Sequence, residues 1–87
     1  MIVRIHRSFE KKFARLPKDL RERFKERRNL FRADPFHSLL NNHPLHGKYV
    51  GCSSINVTGD YRAIFYHERD DVVRFIMIGT HHELFGT

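Results

Sequence analysis

The stretch Ser54-Ile55-Asn56-Val57-Thr58-Gly59-Asp60-Tyr61-Arg62-Ala63-Ile64-Phe65-Tyr66-His67 decides the fold. Its first residues alternate polar with apolar, the period-two pattern of a strand that buries one face. Gly59-Asp60 supplies a two-residue hairpin turn, after which residues 61–67 pair back. Residues 68–71 turn once more and 72–78, again rich in Val, Ile and Phe, make a third strand. Gly79-Thr80 closes that strand, and a polar tail follows. On this reading Arg62 lies opposite Val57, on the same face as Ile55 and Ile64, a face expected to be partly buried unless a bulge intervenes, so the exposure of Arg62 does not follow from the pattern.

Upstream the period changes. Residues 36–47 are rich in Pro, Asn, His and Gly, which is loop chemistry, and Asp34-Pro35 stops what precedes them. Phe9, Phe13 and Leu16 recur at helical spacing behind Ser8, a plausible N-cap, with Glu10 in the first turn. Pro17 ends that helix and can open the next, where Leu20, Phe24 and Phe31 continue the apolar stripe. Ile2-Val3-Arg4-Ile5 reads as a short first strand. The order is strand, helix, helix, meander. It predicts an α+β fold in which a basic helical hairpin packs on one face of an antiparallel sheet.

The 87 residues (10.5 kDa) leave room for one domain, expected over 1–87. A chain of this size buries only roughly 60–65% of its unfolded surface, so its stability margin is thin. No apolar run approaches the roughly 18–20 residues of a membrane-spanning helix. Met1 leads directly into Ile2-Val3-Arg4 without the apolar core of a secretory signal. Cys52 is the single cysteine, so no intrachain disulfide can form, and a reducing cytoplasmic location is expected.

Charge is unevenly placed. Twelve of the sixteen Lys and Arg lie between Arg4 and Arg32 against four carboxylates, a balance of +8, while the remainder of the chain carries −2. Such a segment is either a solvated helix face or the footprint of an acidic partner: RNA, DNA or an acidic protein.

Three blocks carry a resemblance. His43-Pro44-Leu45-His46-Gly47, then Val57-Thr58-Gly59-Asp60-Tyr61-Arg62, then Gly79-Thr80-His81 with Leu84-Phe85-Gly86 resemble the RelE/ParE superfamily of bacterial toxins, most nearly its YafQ branch of mRNA interferases. The likeness covers nearly the whole chain, including the basic helical pair and Asp34-Pro35-Phe36. It implies an mRNA endoribonuclease that works in the ribosomal decoding site and is neutralised by a cognate antitoxin. The superfamily also holds gyrase poisons that do not cut RNA and degenerate members that only bind an antitoxin, so both remain as alternatives.

By the same resemblance His43 and His81 fall on catalytic histidines, Asp60 on a catalytic aspartate and Phe85 on an active-site phenylalanine of that branch. Arg62 matches the strand arginine of RelE and YoeB. Asn56 stands where YafQ has a further active-site histidine, and Ser54 and Ser53 replace an aspartate and an arginine. Asn56 cannot exchange a proton near neutral pH, which shifts the acid–base work to His43 and His81.

These residue types suit metal-independent RNA cleavage, in which the 2′-OH attacks the adjacent phosphorus. Imidazole, with an ordinary pKa of about 6.5, supplies base or acid near neutrality, and an acting pair gives a bell-shaped pH profile. Guanidinium holds phosphoryl oxygens through a planar fork of donors. His43 is accordingly expected as base, Arg62 as phosphate clamp, His81 as acid and Asp60 as an orienting group. Phe85, Asn56, Tyr61 and Lys48 are candidate RNA contacts, with Tyr66 a lesser stacking candidate. No HExxH or Cys/His spacing supports a metal, and no phosphate-cradling glycine loop supports a nucleotide, so neither metal nor cofactor is expected.

Overall fold

The computed structural model describes residues 1–86; Thr87, the last residue of the expected domain, lies outside the described residues. The alternating and helical patterns resolve in chain order into β1 (Ile2–Ile5), α1 (Arg7–Ala14), α2 (Lys18–Ala33), β2 (His43–Pro44), β3 (Ser53–Asn56), β4 (Tyr61–Arg69), β5 (Val72–Thr80) and α3 (His81–Phe85). Single 3₁₀ turns fall at Ser38–Leu40 and Gly47–Tyr49. The sheet runs β1-β5-β4-β3-β2, with the β3-β4-β5 meander antiparallel as read from the sequence.

The α+β class stands, with five local corrections, the last of them at the hairpin that opens the meander. First, β1 joins β5 in parallel register, Ile2 opposite Val72 and Ile5 opposite Phe75. Alternation in four residues suits either direction; bonds from Ile2 N–H to the Asp71 carbonyl and from His6 N–H to the Phe75 carbonyl fix it. Second, the expected loop contains β2, whose His43 and Pro44 pair with Ser54 and Ser53. Proline is tolerated there because β2 is an edge strand. Third, α1 begins before Ser8: His6 is the N-cap, its Nδ1 accepting from Ser8 N–H at 3.0 Å. Fourth, the polar tail is the helix α3.

Ser8 is used elsewhere. Its hydroxyl donates to the Ile76 carbonyl at 2.6 Å. Ile76 is the residue that β5 carries in excess, because Ile64 pairs with Met77 and the next β4 residue, Phe65, pairs with Phe75. The bulge lets Ile76 and Met77 share one face while Phe75 and Ile78 both reach the other.

That second face is the main core. Phe9, Leu16, Phe24 and Phe31 of the helical pair bury against Ile55, Val57, Ala63, Phe65, Val73, Phe75 and Ile78. Phe75 is its centre, with ring centroids 5.3–5.9 Å from Phe9, Phe24, Phe31 and Phe65. The opposite face carries a smaller cluster of Leu45, Ile64 and Leu84, edged by Tyr49, Cys52, Ile76, Met77 and Phe85.

The hairpin that opens the meander is not the expected two-residue turn. Gly59 does not take the positive φ that such turns demand. The Thr58 hydroxyl instead accepts from the N–H groups of Asp60 (3.2 Å) and Tyr61 (3.0 Å). Val57 and Thr58 N–H then share the Tyr61 carbonyl at 2.9 and 3.3 Å. The register moves by one residue, so Arg62 lies opposite Asn56 rather than Val57. Arg62 therefore shares a face with Ser54 and Ile64, away from the helices, while Ile55 points into the main core.

Truncation of the ring that contacts four others leaves a cavity the surrounding aromatics cannot close. Phe75→Ala is expected to cost about 3–5 kcal/mol, read as a lower urea midpoint at unchanged m-value, against a total of about 5–15 kcal/mol for a domain.

Candidate active site

The register shift, the edge strand and α3 bring together residues that lie far apart in sequence. His43, Arg62 and His81 line one open hollow of about 310 Å³, with Asn41, Leu45, Ser54 and Phe85 completing its wall. Of the other candidates, Phe85 belongs to this wall, whereas Asp60, Asn56, Tyr61 and Lys48 do not. Tyr61 packs against the main core on the helix side of the sheet. Lys48 lies over the Tyr49 ring, 5.1 Å from its centroid, in the neighbouring hollow. Asn56 is half-buried beside Arg62, with its Oδ1 unpartnered among the described residues.

Each of the three principal groups is oriented by backbone. His43 Nδ1–H donates to the Asn41 carbonyl at 2.7 Å. A carbonyl can only accept, so Nδ1 carries the proton and a neutral His43 has its lone pair on Nε2. Asn41 presents that carbonyl from a left-handed backbone (φ 46) at the end of the first 3₁₀ turn, a conformation Asn tolerates better than most residues. Arg62 Nη1 donates to the carbonyls of Thr58 (3.1 Å), Gly59 (3.1 Å) and Tyr61 (3.2 Å). Among the described residues Nε and Nη2 make no hydrogen bond, so one edge of the fork keeps its donors.

His81 is the first residue of α3 and is exposed. Its backbone N–H donates to the Asp60 carbonyl at 3.0 Å, and its ring lies 4.9 Å from Phe85. Asp60 thus touches the site through its main chain, while its exposed carboxylate stays outside the hollow.

α3 itself was legible as a capping box. Thr80 Oγ1 accepts from Glu83 N–H at 3.1 Å and Glu83 Oε1 accepts from Thr80 N–H at 2.8 Å. Glu83 also meets the Lys12 ammonium at 3.0 Å, tying α1 to α3. The Thr80 N–H first, then the Lys12 ammonium, hold the Glu83 carboxyl below its ordinary value. Gly79 makes the close return possible: a β-carbon there would stand 3.2 Å from Glu83 Oε1 and 3.4 Å from Leu84 Cδ2.

Residues that sequence reasoning gave no role are Asn41 and Ser54. Ser54 is buried, lines the hollow, and leaves Oγ without a partner among the described residues. No group of three or more His, Cys, Asp or Glu among the described residues could hold a metal ion. No helix among them is long and apolar enough to cross a membrane. A second basic depression, lined by Ser8, Lys11, Lys12, Arg15 and Met77, lies along α1.

A five-stranded sheet with two helices packed on one face is the α+β architecture of RelE-like toxins. The structure of YafQ from E. coli matches it with a TM-score of 0.80 at 24% identity over 97% of each chain. A chain of the E. coli DinJ–YafQ complex gives 0.74 at 27% identity, also over 97% of each. The archaeal RelE–RelB complex from Pyrococcus horikoshii gives 0.72 at 26%, covering 91% of this chain and 92% of that one. No curated protein sequence matches. Residues 1–86 match the family described as bacterial toxin of type II toxin-antitoxin system, YafQ, and the chain belongs to that family.

Two outcomes follow from this geometry. Long-range ¹H–¹⁵N spectra of neutral His43 should place its proton on Nδ1; a proton on Nε2 would contradict the Asn41 bond. A carboxyl held below its ordinary value stabilises above the unfolded carboxylate range, about pH 4.3, and loses that contribution as pH falls through the folded value. The protection factors of the Leu84 and Gly86 amides, each taken against the intrinsic exchange rate at the same pH, should therefore fall as the pH is lowered through this acidic range, and Glu83→Gln should flatten the response.

Proposed function

We propose that this chain is an mRNA endoribonuclease that acts on the ribosome without a metal or cofactor. The observation that carries the reading is the convergence of His43, Arg62 and His81, from three separate segments, on one solvent-open hollow. His43 Nε2 takes the proton of the 2′-OH as its oxygen bonds to phosphorus. The Nε and Nη2 donors of Arg62 hold the phosphoryl oxygens as charge builds. His81 gives a proton to the departing 5′ oxygen as the P–O bond breaks, leaving a 2′,3′-cyclic phosphate.

Phe85 stacks on or shapes the space for a base. Asp60 is a positioning residue for His81 through the main-chain bond. Asn56 and Lys48 are RNA contacts at the margin, whereas Tyr61 reaches RNA only at its phenolic edge, because its ring packs with the core. The exposed cations of the helical pair and its connection, Lys11 and Arg15 among them, follow ribosomal RNA phosphates, so binding is strongly salt-dependent. The cognate partner is an antitoxin, as DinJ is for YafQ, with acidic segments that cover the same basic helices.

The test is purified chain with translating ribosomes and a defined message, with mapped ends. Cleavage leaving 2′,3′-cyclic phosphate is expected, reduced about 10²–10⁴-fold by His81→Ala. His43→Gln should depress turnover far more than ribosome affinity. Equal loss of both would make His43 structural, and intact message alongside gyrase-dependent DNA breaks would replace the nuclease reading altogether.

A further inference from the structure

Phe85 is a wall shared by two hollows. Beyond the one that holds His43, Arg62 and His81 lies a second, of about 460 Å³, lined by His46, Gly47, Lys48, Tyr49, Glu83, Leu84, Phe85 and Gly86. Its chemistry differs from its neighbour's. Tyr49 stands edge-on to Phe85 with centroids 5.9 Å apart and an interplanar angle of 84°, so two rings meet at a corner. Lys48 sits over the Tyr49 face at 5.1 Å. The rim is low: Gly47 (φ +65) and Gly86 (φ +74) adopt backbones that favour glycine, and a β-carbon on either would meet nothing within 4 Å. Glu83 is already committed to Thr80 N–H and Lys12, yet its carboxylate still makes this hollow a poor place for a phosphate.

We infer that this second hollow is a nucleobase subsite, which takes the base next to the scissile phosphate of a single-stranded RNA laid across Phe85. A corner of two aromatic rings accepts any base by stacking, and one lysine at the edge suits the phosphate that follows it. His46 supplies a hydrogen-bonding edge able to distinguish bases. The principal residue is Tyr49, which the catalytic scheme does not use, and among the described residues Phe85 is the one that lines both hollows. The inference rests on the nuclease reading for the position of the strand, but its binding component is separable from cleavage.

The probe is a 2′-O-methyl hexanucleotide of mixed sequence, which cannot be cut because the attacking hydroxyl is blocked. Titrated into the wild-type chain, it should shift the Tyr49 and Phe85 ring protons together. Tyr49→Ala should weaken binding about 5- to 150-fold, the ~1–3 kcal/mol of one base stack, while Tyr49→Phe keeps wild-type affinity. Lys48→Ala should lower affinity and reduce its salt dependence.

With cleavable message on ribosomes, wild-type cuts should show a base preference at one flanking position, which Tyr49→Ala flattens and Tyr49→Phe retains. Cutting by Tyr49→Ala at wild-type rate and preference, or ring shifts at Phe85 without Tyr49, would overturn the subsite and leave the nuclease standing. No cutting by wild-type would remove the nuclease reading, while the ring shifts would still decide whether the hollow binds a base. Ring shifts produced by an antitoxin but not by RNA would assign the hollow to a protein interface and overturn the proposal.

Discussion

Everything on the open face depends on the carbonyl of Tyr61 accepting from two consecutive amides, those of Val57 and Thr58. In a sheet the side-chain period is two, so moving the register of β4 against β3 by one residue exchanges what each face receives. With the observed register, Ile55, Ala63 and Phe65 meet the helices, and Ser54, Asn56 and Arg62 meet the other side. A tight turn at Gly59-Asp60 would instead have put a guanidinium on the face of Ile55, where its charge would be desolvated without a partner. The Thr58 hydroxyl prevents that turn by capturing the amides of Asp60 and Tyr61. One threonine side chain thus helps separate the dry face of the protein from its polar one.

The two faces are held together by different means. On the helix side, rings from α1, α2, β4 and β5 interlock about Phe75 and leave little exposed. On the other side three small aliphatics, Leu45, Ile64 and Leu84, form the floor on which the hollows stand. A floor this small cannot immobilise long side chains by packing alone. Orientation of the polar groups therefore falls to hydrogen bonds, and the structure provides them from main-chain carbonyls.

The periodic parts of the fold were legible and the aperiodic parts were not. Phe9, Phe24 and Phe31 could be assigned to a core from spacing alone, and the meander from alternation and turn residues, because local pattern and tertiary burial agree there. The bulge at Ile76, the parallel pairing of β1 and the two-residue β2 are set by partners distant in sequence, to which no local pattern responds. The face of Arg62 does not follow from the pattern for a related reason: Gly59-Asp60 is a good turn signal, but Thr58 outcompetes it. α3 is a different matter, since Thr80 and Glu83 at capping-box spacing announce a helix N-terminus. For the site, His43, Arg62, His81 and Phe85 could be selected from their resemblance to a family, and Ser54 was marked there only as a departure from it, whereas Asn41 acts through its main-chain carbonyl and carries no comparable signal.

The three anchors share a property that bears on how the site is maintained. His43 donates to Asn41 C=O, Arg62 donates to three carbonyls of residues 58–61, and His81 N–H donates to Asp60 C=O. Two of the three principal residues are therefore held by one hairpin loop of four residues, Val57 to Asp60. Carbonyl anchors fix donors without adding a negative charge, so the guanidinium is positioned while its full charge stays available to an anion. A carboxylate partner at the same place would orient Arg62 as well, but would neutralise it and repel phosphate. The loop is thus the common support of Arg62 and His81, and a substitution that changes its backbone acts on both together. A change at Asn41, by contrast, reaches only His43.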